Sequence, residues 1–430
     1  MLAAVPRATQ ARAEALEAAT GIVEDVRLRG EAALRDQAAQ FDRVEGHALR
    51  VPAEQITEAA ASVDPAVRAA LEEAIRRVRQ ASSAQVPASQ TTDIGPGARI
   101  VQRWQPVTRA GVYIPGGKAV YPSSVVMNVV PAQVAGVGAI ALASPPQAAY
   151  GGRVHPTILA AADLLGIDEV YAIGGAGAIG ALAHGVADLG LDPVDVVSGP
   201  GNNYVASAKR AVAGVVGTDS EAGATEILIV ADADADPRLV AADLISQAEH
   251  DEQASAVLVT DSPELAARVA AQVADLAAHT HHRERVAAAL EGPQSAIVLV
   301  DDLHVAADFS NAYAPEHLEL HVRDAAEAAD RFTSAGAVFV GAYTPVSLGD
   351  YIAGSNHVLP TGGQARYAPG LGAYTFLRPQ QVIEYDRAAL AQVREGVVTL
   401  ANAEVLPAHG DAVEARFSAD SASVADERVR

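Results

Sequence analysis

The sequence predicts an α/β fold in which helices cover parallel β-sheets. Short β-rich runs alternate with helices of small residues through the middle of the chain, and the repetition of strand, glycine turn and helix is typical of a parallel sheet. The chain has 430 residues, of which 50% are hydrophobic. This length exceeds one ordinary hydrophobic core, so we expect two or more domains.

Local patterns predict the individual elements. Charged and apolar residues at helical spacing predict helices within residues 20–41 and 65–80. Strands are predicted at residues 110–114, 139–143, 169–173, 194–197, 227–231 and 256–259. A further α/β region is expected over residues 295–340, and a helix over residues 386–404. The glycine-rich residues 343–372 are too long for a plain linker and indicate an ordered functional loop.

Composition and charge exclude several classes of function. The 53 acidic residues outnumber the 31 lysines and arginines, and the resulting net charge of −22 repels phosphate backbones and anionic membrane surfaces. Nucleic acid and membranes are therefore not expected as partners. Because the chain has no cysteine, any metal must be bound by nitrogen and oxygen atoms.

No segment has the pattern of an export signal or a membrane span. Residues 1–19 carry charges and lack an apolar core, so they do not resemble a signal peptide, and we predict a cytoplasmic protein. Residues 119–152 contain no charge, but their longest apolar or glycine run has only ten residues, whereas a spanning helix needs about 20. We interpret this stretch as the buried interior of an α/β domain.

Three glycine turns follow predicted strands. Residues 175–180 form a G-x-G-x-x-G motif, with Asp192 and Asp195 at the distance where a ribose-binding acid is expected. Such turns are also common in chains rich in alanine and glycine, so the motif alone leaves the dinucleotide interpretation open. Residues 113–117 and 198–202 form the other two turns. Together the turns predict a polar crevice at the carboxyl edge of a sheet, where open α/β sheets bind ligands.

Several nitrogen- and oxygen-bearing side chains could bind a metal. Gln247 and His250 are three residues apart, about 60° from each other on one helical face. Asp350 and His357 lie in the glycine-rich loop, and His409 lies near the end of the chain. Zinc accepts such donors. A surface glutamine beside a surface histidine is the alternative interpretation of the first pair.

Residues 317–321 alternate polar and apolar side chains, which predicts a half-buried strand with His317, Glu319 and His321 on one face. Glu316 lies directly before this strand. An adjacent glutamate and histidine can serve as a general acid–base pair when burial tunes one of them. An exposed polar pair after a proline turn is the alternative. A separate histidine cluster is interpreted as solvated surface: His279, His281 and His282.

Taken together, these segments resemble the histidinol dehydrogenase family over nearly the whole chain. The matching motifs lie in order at residues 25–34, 111–117, 199–202, 246–250, 313–319, 349–350 with 355–361, and 404–409. Chance agreement at so many ordered motifs is negligible. The resemblance implies an enzyme that oxidises L-histidinol to L-histidine through L-histidinal, a four-electron reaction that uses zinc and two NAD⁺.

The resemblance also implies how the substrate and the metal are held. The Zn²⁺ ligands, for one ion per subunit, would be Gln247, His250, Asp350 and His409. The same residues would contact the substrate through the metal site, together with Thr225, His317 and Glu404. Many relatives have serine where this chain has Thr225, a change that keeps the hydroxyl.

Catalytic and cofactor roles follow from the same resemblance. His317 would take the hydroxyl proton as hydride leaves, and Glu316 would activate the water that hydrates the aldehyde. His357 would support the site electrostatically. Tyr113 and Asn202 would contact NAD⁺. The family usually has a glutamine that contacts NAD at the position of Gly177, so this chain departs from the pattern there.

The implied architecture is an intertwined homodimer of two incomplete Rossmann-like domains, an N-terminal helical arm and a small C-terminal domain. We predict an N-terminal helical region at residues 1–105, packing partly with the second α/β domain, and a first α/β domain with the NAD-side crevice at 106–225. A second α/β domain with the active-site loop is predicted at 226–370, and a segment exchanged with the partner at 371–430. His409, and with it Glu404, would then reach the active site of the partner.

Three other functions compete with this interpretation. A paralogous NAD- and zinc-dependent dehydrogenase of the same fold could act on another polar alcohol, such as a hydroxy-sulfonate, and would differ at the substrate-binding residues. A two-domain solute-binding protein would show a similar strand–helix rhythm but would need an export signal. A zinc hydrolase would need no glycine-lined crevice.

Overall fold

The computed structural model describes residues 5–7, 12–116, 119–220 and 223–426. The chain forms two compact units, one of Met1–Val86 with Pro106–Phe376 and one of Pro87–Gln105 with Leu377–Arg430. The helices are α1 (Arg12–Arg29), α2 (Glu31–Gln37), α3 (Ala53–Ser62), α4 (Pro65–Ser83), α5 (Pro122–Ala135), α6 (Pro156–Leu164), α7 (Gly175–His184), α8 (Asn203–Ala211), α9 (Pro237–Ala248), α10 (Pro263–His279), α11 (Arg283–Glu291), α12 (Leu303–Tyr313), α13 (Ala325–Ala328), α14 (Val346–Tyr351), α15 (Arg387–Ala403) and α16 (Pro407–Asp426). The strands are β1 (Gln90–Gly95), β2 (Ala98–Pro106), β3 (Arg109–Tyr113), β4 (Ala139–Ser144), β5 (Val170–Ala172), β6 (Val196–Ser198), β7 (Gly217–Thr218), β8 (Glu226–Ala231), β9 (Ser255–Thr260), β10 (Ala296–Leu299), β11 (His317–His321), β12 (Ala337–Val340) and β13 (Leu377–Tyr385).

The first unit contains a parallel sheet in the order β5-β4-β3-β6-β7. Numbered along the chain, this order is 3-2-1-4-5, which is that of a dinucleotide-binding domain without its sixth strand. The predicted strands in this region are confirmed, and β3 to β6 are almost wholly buried. The parallel, helix-covered sheet places the three glycine turns at the ends of strands.

The same unit contains a second parallel sheet in the order β10-β9-β8-β11-β12, again 3-2-1-4-5 along the chain. Helix α12 packs on one face of it and helix α9 on the other. The prediction that residues 317–321 are half buried was wrong. β11 lies between β8 and β12, and all its side chains are buried because helices cover both faces.

The N-terminal helices pack mainly against the first sheet. Residues of α1 and α2 share a hydrophobic core with α7 and with Tyr171 of β5. Val5 instead belongs to the core of the second sheet. Several helices start with a polar cap followed by proline, as in Asp64-Pro65, where the Asp64 carboxylate accepts the N–H of Ala66. The helices predicted within residues 20–41 and 65–80 are confirmed.

The second unit joins two distant parts of the chain. β1, β2 and β13 form a three-stranded sheet, and α15 packs on α16. Strands β1 and β2 were not predicted, because β1 is exposed along its whole length and carries no alternating apolar pattern. Pro407 begins α16, so the helix predicted at 386–404 is followed at once by another.

The uncharged stretch at residues 119–152 holds α5 and β4. Nearly every residue of α5 is buried, which agrees with the predicted domain interior. Among the helices of the described residues, none combines the length and the apolar character that crossing a membrane requires.

Candidate active site

The residues predicted for catalysis lie at the amino edge of the second sheet. β8 and β11 are parallel neighbours, with His317 opposite Ile227, so the residues just before each strand come together. The Thr225 hydroxyl donates a hydrogen bond of 2.6 Å to Glu316 Oε2, and the backbone N–H of Glu226 donates one of 2.9 Å to the same atom. Burial raises the pKa of Glu316, while the charge of His317 and these two donors oppose that shift.

The ring of His317 is held in one tautomer. Its Nδ1 lies 3.0 Å from the backbone oxygen of Glu226, and because a carbonyl oxygen only accepts, Nδ1 carries the hydrogen. The lone pair of the neutral ring is therefore on Nε2. Within the described part of the chain, this buried Nε2 has no hydrogen-bond partner. A positioned base that no protein group occupies suits the hydroxyl of a substrate.

The end of α9 places Gln247 beside this pair. Gln247 is 2% exposed, and its amide nitrogen donates a hydrogen bond of 2.6 Å to Thr225 Oγ1. Gln247, Thr225 and Glu316 thus form a hydrogen-bonded chain. Because the nitrogen is engaged, the carbonyl oxygen is the atom of Gln247 that can bind a metal. His250 follows two residues after the helix.

Helix α14 and the loop after it contribute Asp350 and His357. Nδ1 of His357 lies 2.8 Å from the backbone oxygen of Asp350, and Nε2 lies 2.9 Å from the Ser124 hydroxyl. Nδ1 must donate, so Nε2 of the neutral ring accepts. Burial lowers the pKa of His357, and the charges of His317 and His250 lower it further. The charge of Asp350 and the hydrogen bond to its backbone oxygen raise it. Ser124, which the sequence analysis did not select, therefore fixes this ring from α5.

The structure brings most of the predicted site residues together in the first unit: Thr225, Gln247, His250, Glu316, His317, Asp350 and His357. Their oxygen and nitrogen donors fit the chemistry of zinc. Glu404 and His409 belong to the second unit, at the end of α15 and in the first turn of α16. Both are exposed.

Glu226 is a second buried carboxylate beside Glu316 that the sequence analysis missed. It is 4% exposed. Burial raises its pKa to about 7, with the charge of Arg7 opposing the shift and that of Glu316 adding to it. Arg7 Nη1 lies 2.7 Å and 3.0 Å from the two carboxylate oxygens. In the sequence, the feature that could have identified Glu226 is its position as an acid at the start of the otherwise apolar strand β8.

The same arginine also holds the turn that precedes Glu316. Its guanidinium donates to the backbone oxygens of Tyr313 and Ala314. Ala314 has φ +50°, a left-handed conformation that costs free energy for a residue with a Cβ. Arg7 therefore stabilises both the turn and the carboxylate next to the predicted catalytic pair.

Asp243, Glu319 and His321 form a further cluster, in which Glu319 and His321 are buried and Asp243 is half-buried. Their potential ligand atoms lie within 4.8 Å of one another, close enough to hold a cation. Burial raises the pKa of Asp243 to about 7, and the charge of Glu319 adds to this. Glu319 Oε1 accepts a hydrogen bond of 2.8 Å from the N–H of Val346, the first residue of α14. The cluster is separate from the predicted zinc ligands and anchors the helix that carries Asp350.

The three glycine turns lie at the carboxyl ends of β3, β5 and β6, as predicted. The Tyr113 hydroxyl accepts a hydrogen bond of 3.1 Å from the N–H of Gly175, and burial raises the pKa of Tyr113 to about 12. A Cβ on Gly199 would clash with the backbone oxygen of Tyr113, so the turn after β6 requires glycine. Asn202 caps α8 through its side-chain oxygen and is exposed. Glycine turns at the carboxyl ends of neighbouring parallel strands are where open α/β sheets bind dinucleotides.

The structure contradicts the predicted ribose-binding acids. Asp195 Oδ2 accepts hydrogen bonds from the N–H groups of Thr108 and Arg109 at the start of β3, and the backbone oxygen of Asp192 accepts one from the Arg109 side chain. Both residues therefore lie at the amino edge of the sheet, opposite the glycine turns. The prediction failed because the G-x-G-x-x-G motif follows the edge strand β5 and not the first strand of the sheet.

Gly177 lies in the first turn of α7 and is buried. A Cβ at this position would clash with Oε1 of Gln37, at the end of α2. Because the clashing atom is the far end of a flexible side chain, a Cβ at position 177 needs only Gln37 to move. The amide of Gln37 thus occupies the space above the glycine motif.

A separate crevice of about 370 Å³ lies at the carboxyl edge of the second sheet, lined by residues that include Asp232, Asp234, Thr260 and Arg323. No residue predicted for catalysis or for binding of substrate, metal or cofactor lines it. The second sheet therefore carries the predicted catalytic pair at its amino edge and this crevice at the opposite edge.

Comparison with known proteins shows the family of the chain. The sequence model of the histidinol dehydrogenase family matches residues 5–417. The chain belongs to the histidinol dehydrogenase family. The resemblance inferred from the motifs is therefore confirmed, and with it an NAD-dependent oxidoreductase.

Relatives and one solved structure show the extent of the similarity. Histidinol dehydrogenase from Leifsonia xyli subsp. xyli is 65% identical over 413 residues, covering 96% of this chain and 95% of the relative. That from Thermobifida fusca is 57% identical over 415 residues, covering 96% and 94%. The crystal structure of histidinol dehydrogenase from Elizabethkingia anophelis superposes with a TM-score of 0.92 at 32% identity, covering 97% of this chain and 96% of that one.

Proposed function

We propose that this histidinol dehydrogenase is a zinc-dependent homodimer, working in the cytoplasm, that oxidises L-histidinol to L-histidine through L-histidinal with two NAD⁺. The observation that carries the proposal is the buried Nε2 of His317, which has no hydrogen-bond partner among the described residues and lies next to Glu316. A fixed base beside a buried carboxylate suits a reaction that removes protons in more than one step.

Gln247, His250 and Asp350 would hold the zinc ion together with His409. When bound, zinc would orient the polar groups of the substrate and stabilise negative charge on oxygen. Glu404, an anion, suits the cationic amine of histidinol. Tyr113 and Asn202 would hold NAD⁺, which would supply the hydride acceptor for both oxidations.

The proton transfers are assigned to two side chains. In the first oxidation, Nε2 of His317 takes the hydroxyl proton as hydride leaves the carbinol carbon, which gives the aldehyde. Glu316 then takes a proton from the water that adds to the aldehyde, and the burial that raises its pKa makes its carboxylate a stronger base. His317 then releases its proton to solvent. In the second oxidation it takes a hydroxyl proton from the hydrate as a second hydride leaves the same carbon, which gives the carboxylic acid, and this acid ionises to the carboxylate. Thr225 keeps Glu316 in place by its hydrogen bond.

A paralogue acting on another polar alcohol is less favoured. The relatives reported above are histidinol dehydrogenases at 65% and 57% identity, and the Glu404 and His409 positions that match the substrate end of the family motif are retained. The departure at Gly177 lies in the cofactor crevice and not at the substrate residues.

The reaction stoichiometry tests the proposed function. Zinc-loaded protein with limiting L-histidinol and excess NAD⁺ should form two NADH per histidinol, measured by absorbance, because the aldehyde is hydrated and oxidised at the same site. A chelated sample is the control. Formation of a single NADH with release of aldehyde would contradict the four-electron reaction, and no turnover with bound zinc and NAD⁺ would favour the paralogue.

The second unit supports the proposed dimer. It exposes a set of large apolar side chains: Ile94, Ile383, Tyr385, Val393, Leu400, Val405 and Leu406. An apolar surface of this kind indicates contact with another protein surface. Since Glu404 and His409 are exposed on the same unit, we propose that they complete the active site of the partner subunit.

Hybrid dimers test the shared site. Glu316→Gln and His409→Asn chains should each be inactive alone. After subunit exchange the mixture should recover about a quarter of wild-type activity, because random pairing makes half the dimers hybrids with one intact site each. Exchange is verified by mass spectrometry of tagged chains. If exchanged mixtures stay as inactive as either variant alone, each active site is built from one chain.

A further inference from the structure

The short π-helical turn Ala38–Asp42 directly follows α2 and lies close to the glycine motif of the first sheet. Gln37, just before the turn, lies over Gly177. At the other end of the turn, a Cβ on Gly174 would lie 3.3 Å from Asp42 Oδ2. The turn therefore runs along the glycine motif that opens α7, and π-helical turns are often found at functional sites.

Asp42 is a carboxylate without a partner. In the described part of the chain it makes no hydrogen bond or ion pair, and burial raises its pKa to about 6. Burial raises the pKa of the Tyr113 hydroxyl, and the nearby charge of Asp42 raises it further. A half-buried carboxylate that no protein group satisfies is costly, so a ligand with hydroxyl donors would satisfy it.

The position of Asp42 matches a requirement of the fold. In a sheet of order 3-2-1-4-5, an acid at the end of the second strand usually binds the ribose of the adenosine half. Here that strand is β4, which ends at Ser144 and continues into Pro145-Pro146 without an acid. The same Gly174 that lies against Asp42 also lies against Pro145. Asp42 thus brings a carboxylate to the end of β4 from a different element.

We propose that Asp42 binds the ribose hydroxyls of the adenosine half of NAD⁺, an inference that rests on the proposed NAD-dependent function. The carboxylate accepts hydrogen bonds from the ribose, which replaces the acid that β4 lacks. The same negative charge repels a 2′-phosphate. Asp42 is therefore also a specificity residue that favours NAD⁺ over NADP⁺.

Direct binding measurements test this assignment. By calorimetry on zinc-loaded protein without histidinol, Asp42→Asn should raise the Kd for NAD⁺ by about 10- to 100-fold, the loss expected for hydrogen bonds to a charged acceptor. The ratio of the NADP⁺ and NAD⁺ Kd values should fall in the same variant. Asp36→Asn is the matched control, because it removes the same charge from an exposed site on the neighbouring helix α2, and it should bind NAD⁺ like the wild type.

A second test compares two ligands in the wild type and in Asp42→Asn. Wild-type protein should bind NAD⁺ that lacks the 2′-hydroxyl of the adenosine ribose more weakly than NAD⁺. The difference should be smaller in Asp42→Asn, because a neutral amide oxygen is a weaker acceptor than a carboxylate. An unchanged NAD⁺ Kd in folded Asp42→Asn, or a wild type that does not distinguish the deoxy ligand, would overturn the assignment. Wild-type protein that binds no NAD⁺ at all would overturn the proposed function itself, together with this inference.

Discussion

Replacing His317 with asparagine is expected to lower kcat for histidinol oxidation by about 10²- to 10⁴-fold, the usual contribution of a positioned general base. The physical reason is the fixed tautomer of His317. Its Nδ1 donates to the backbone of Glu226, which leaves Nε2 as the base. An asparagine amide can keep the donation to Glu226 but offers no base at the Nε2 position. We expect Tm to stay near that of the wild type, measured beside steady-state NADH formation.

The control for this variant is His279→Asn, because the side chain of His279 is 77% exposed at the end of α10. It should keep wild-type kcat. A His317→Asn protein that is folded and still turns over at the wild-type rate would rule out His317 as the base. A large loss of Tm would instead assign His317 a structural role in the buried strand.

Removing the metal is the change with the second largest expected effect. Chelation should abolish NADH formation from histidinol, and stoichiometric zinc should restore it. His250→Ala should lower zinc affinity by at least about 10²-fold, since loss of even an outer partner of a metal ligand costs 10- to 100-fold. Zinc content is measured by atomic absorption, with His279→Ala as the matched control.

A thermal readout separates metal binding from chemistry. Zinc that binds only the folded protein raises Tm, so the wild type should show a zinc-dependent increase that His250→Ala lacks. If His250→Ala binds zinc and gains stability like the wild type, the metal ligands must be sought elsewhere, with Asp243, Glu319 and His321 as the alternative group.

The sequence was sufficient for the parts of the fold that local patterns encode. Apolar runs between glycine turns predicted β3, β4 and the other core strands, because a buried parallel strand needs a continuous apolar segment. The motif resemblance predicted the family, which the match over residues 5–417 confirms. The exposed strand β1 was missed since its residues carry no such pattern.

Contacts between distant parts of the chain could not be predicted in this way. Arg7 and Glu226 are 219 positions apart, and nothing local marks them as partners. Asp42 was passed over for a similar reason. Spacing rules directed attention to Asp192 and Asp195 because they follow the glycine motif, whereas the structure places Asp42 beside Gly174 from an N-terminal turn.

The two sheets share one strand order but place their predicted functional residues at opposite edges. The first sheet has its glycine turns, the proposed cofactor site, at the carboxyl edge, and the second has the proposed catalytic pair at the amino edge. The crevice beside Asp232 and Arg323 thus occupies, in the second sheet, the place where the first would hold a nucleotide. For protein engineering, this makes it a natural location for a designed ligand-binding site, because its lining can be rebuilt without changing any residue assigned to the reaction.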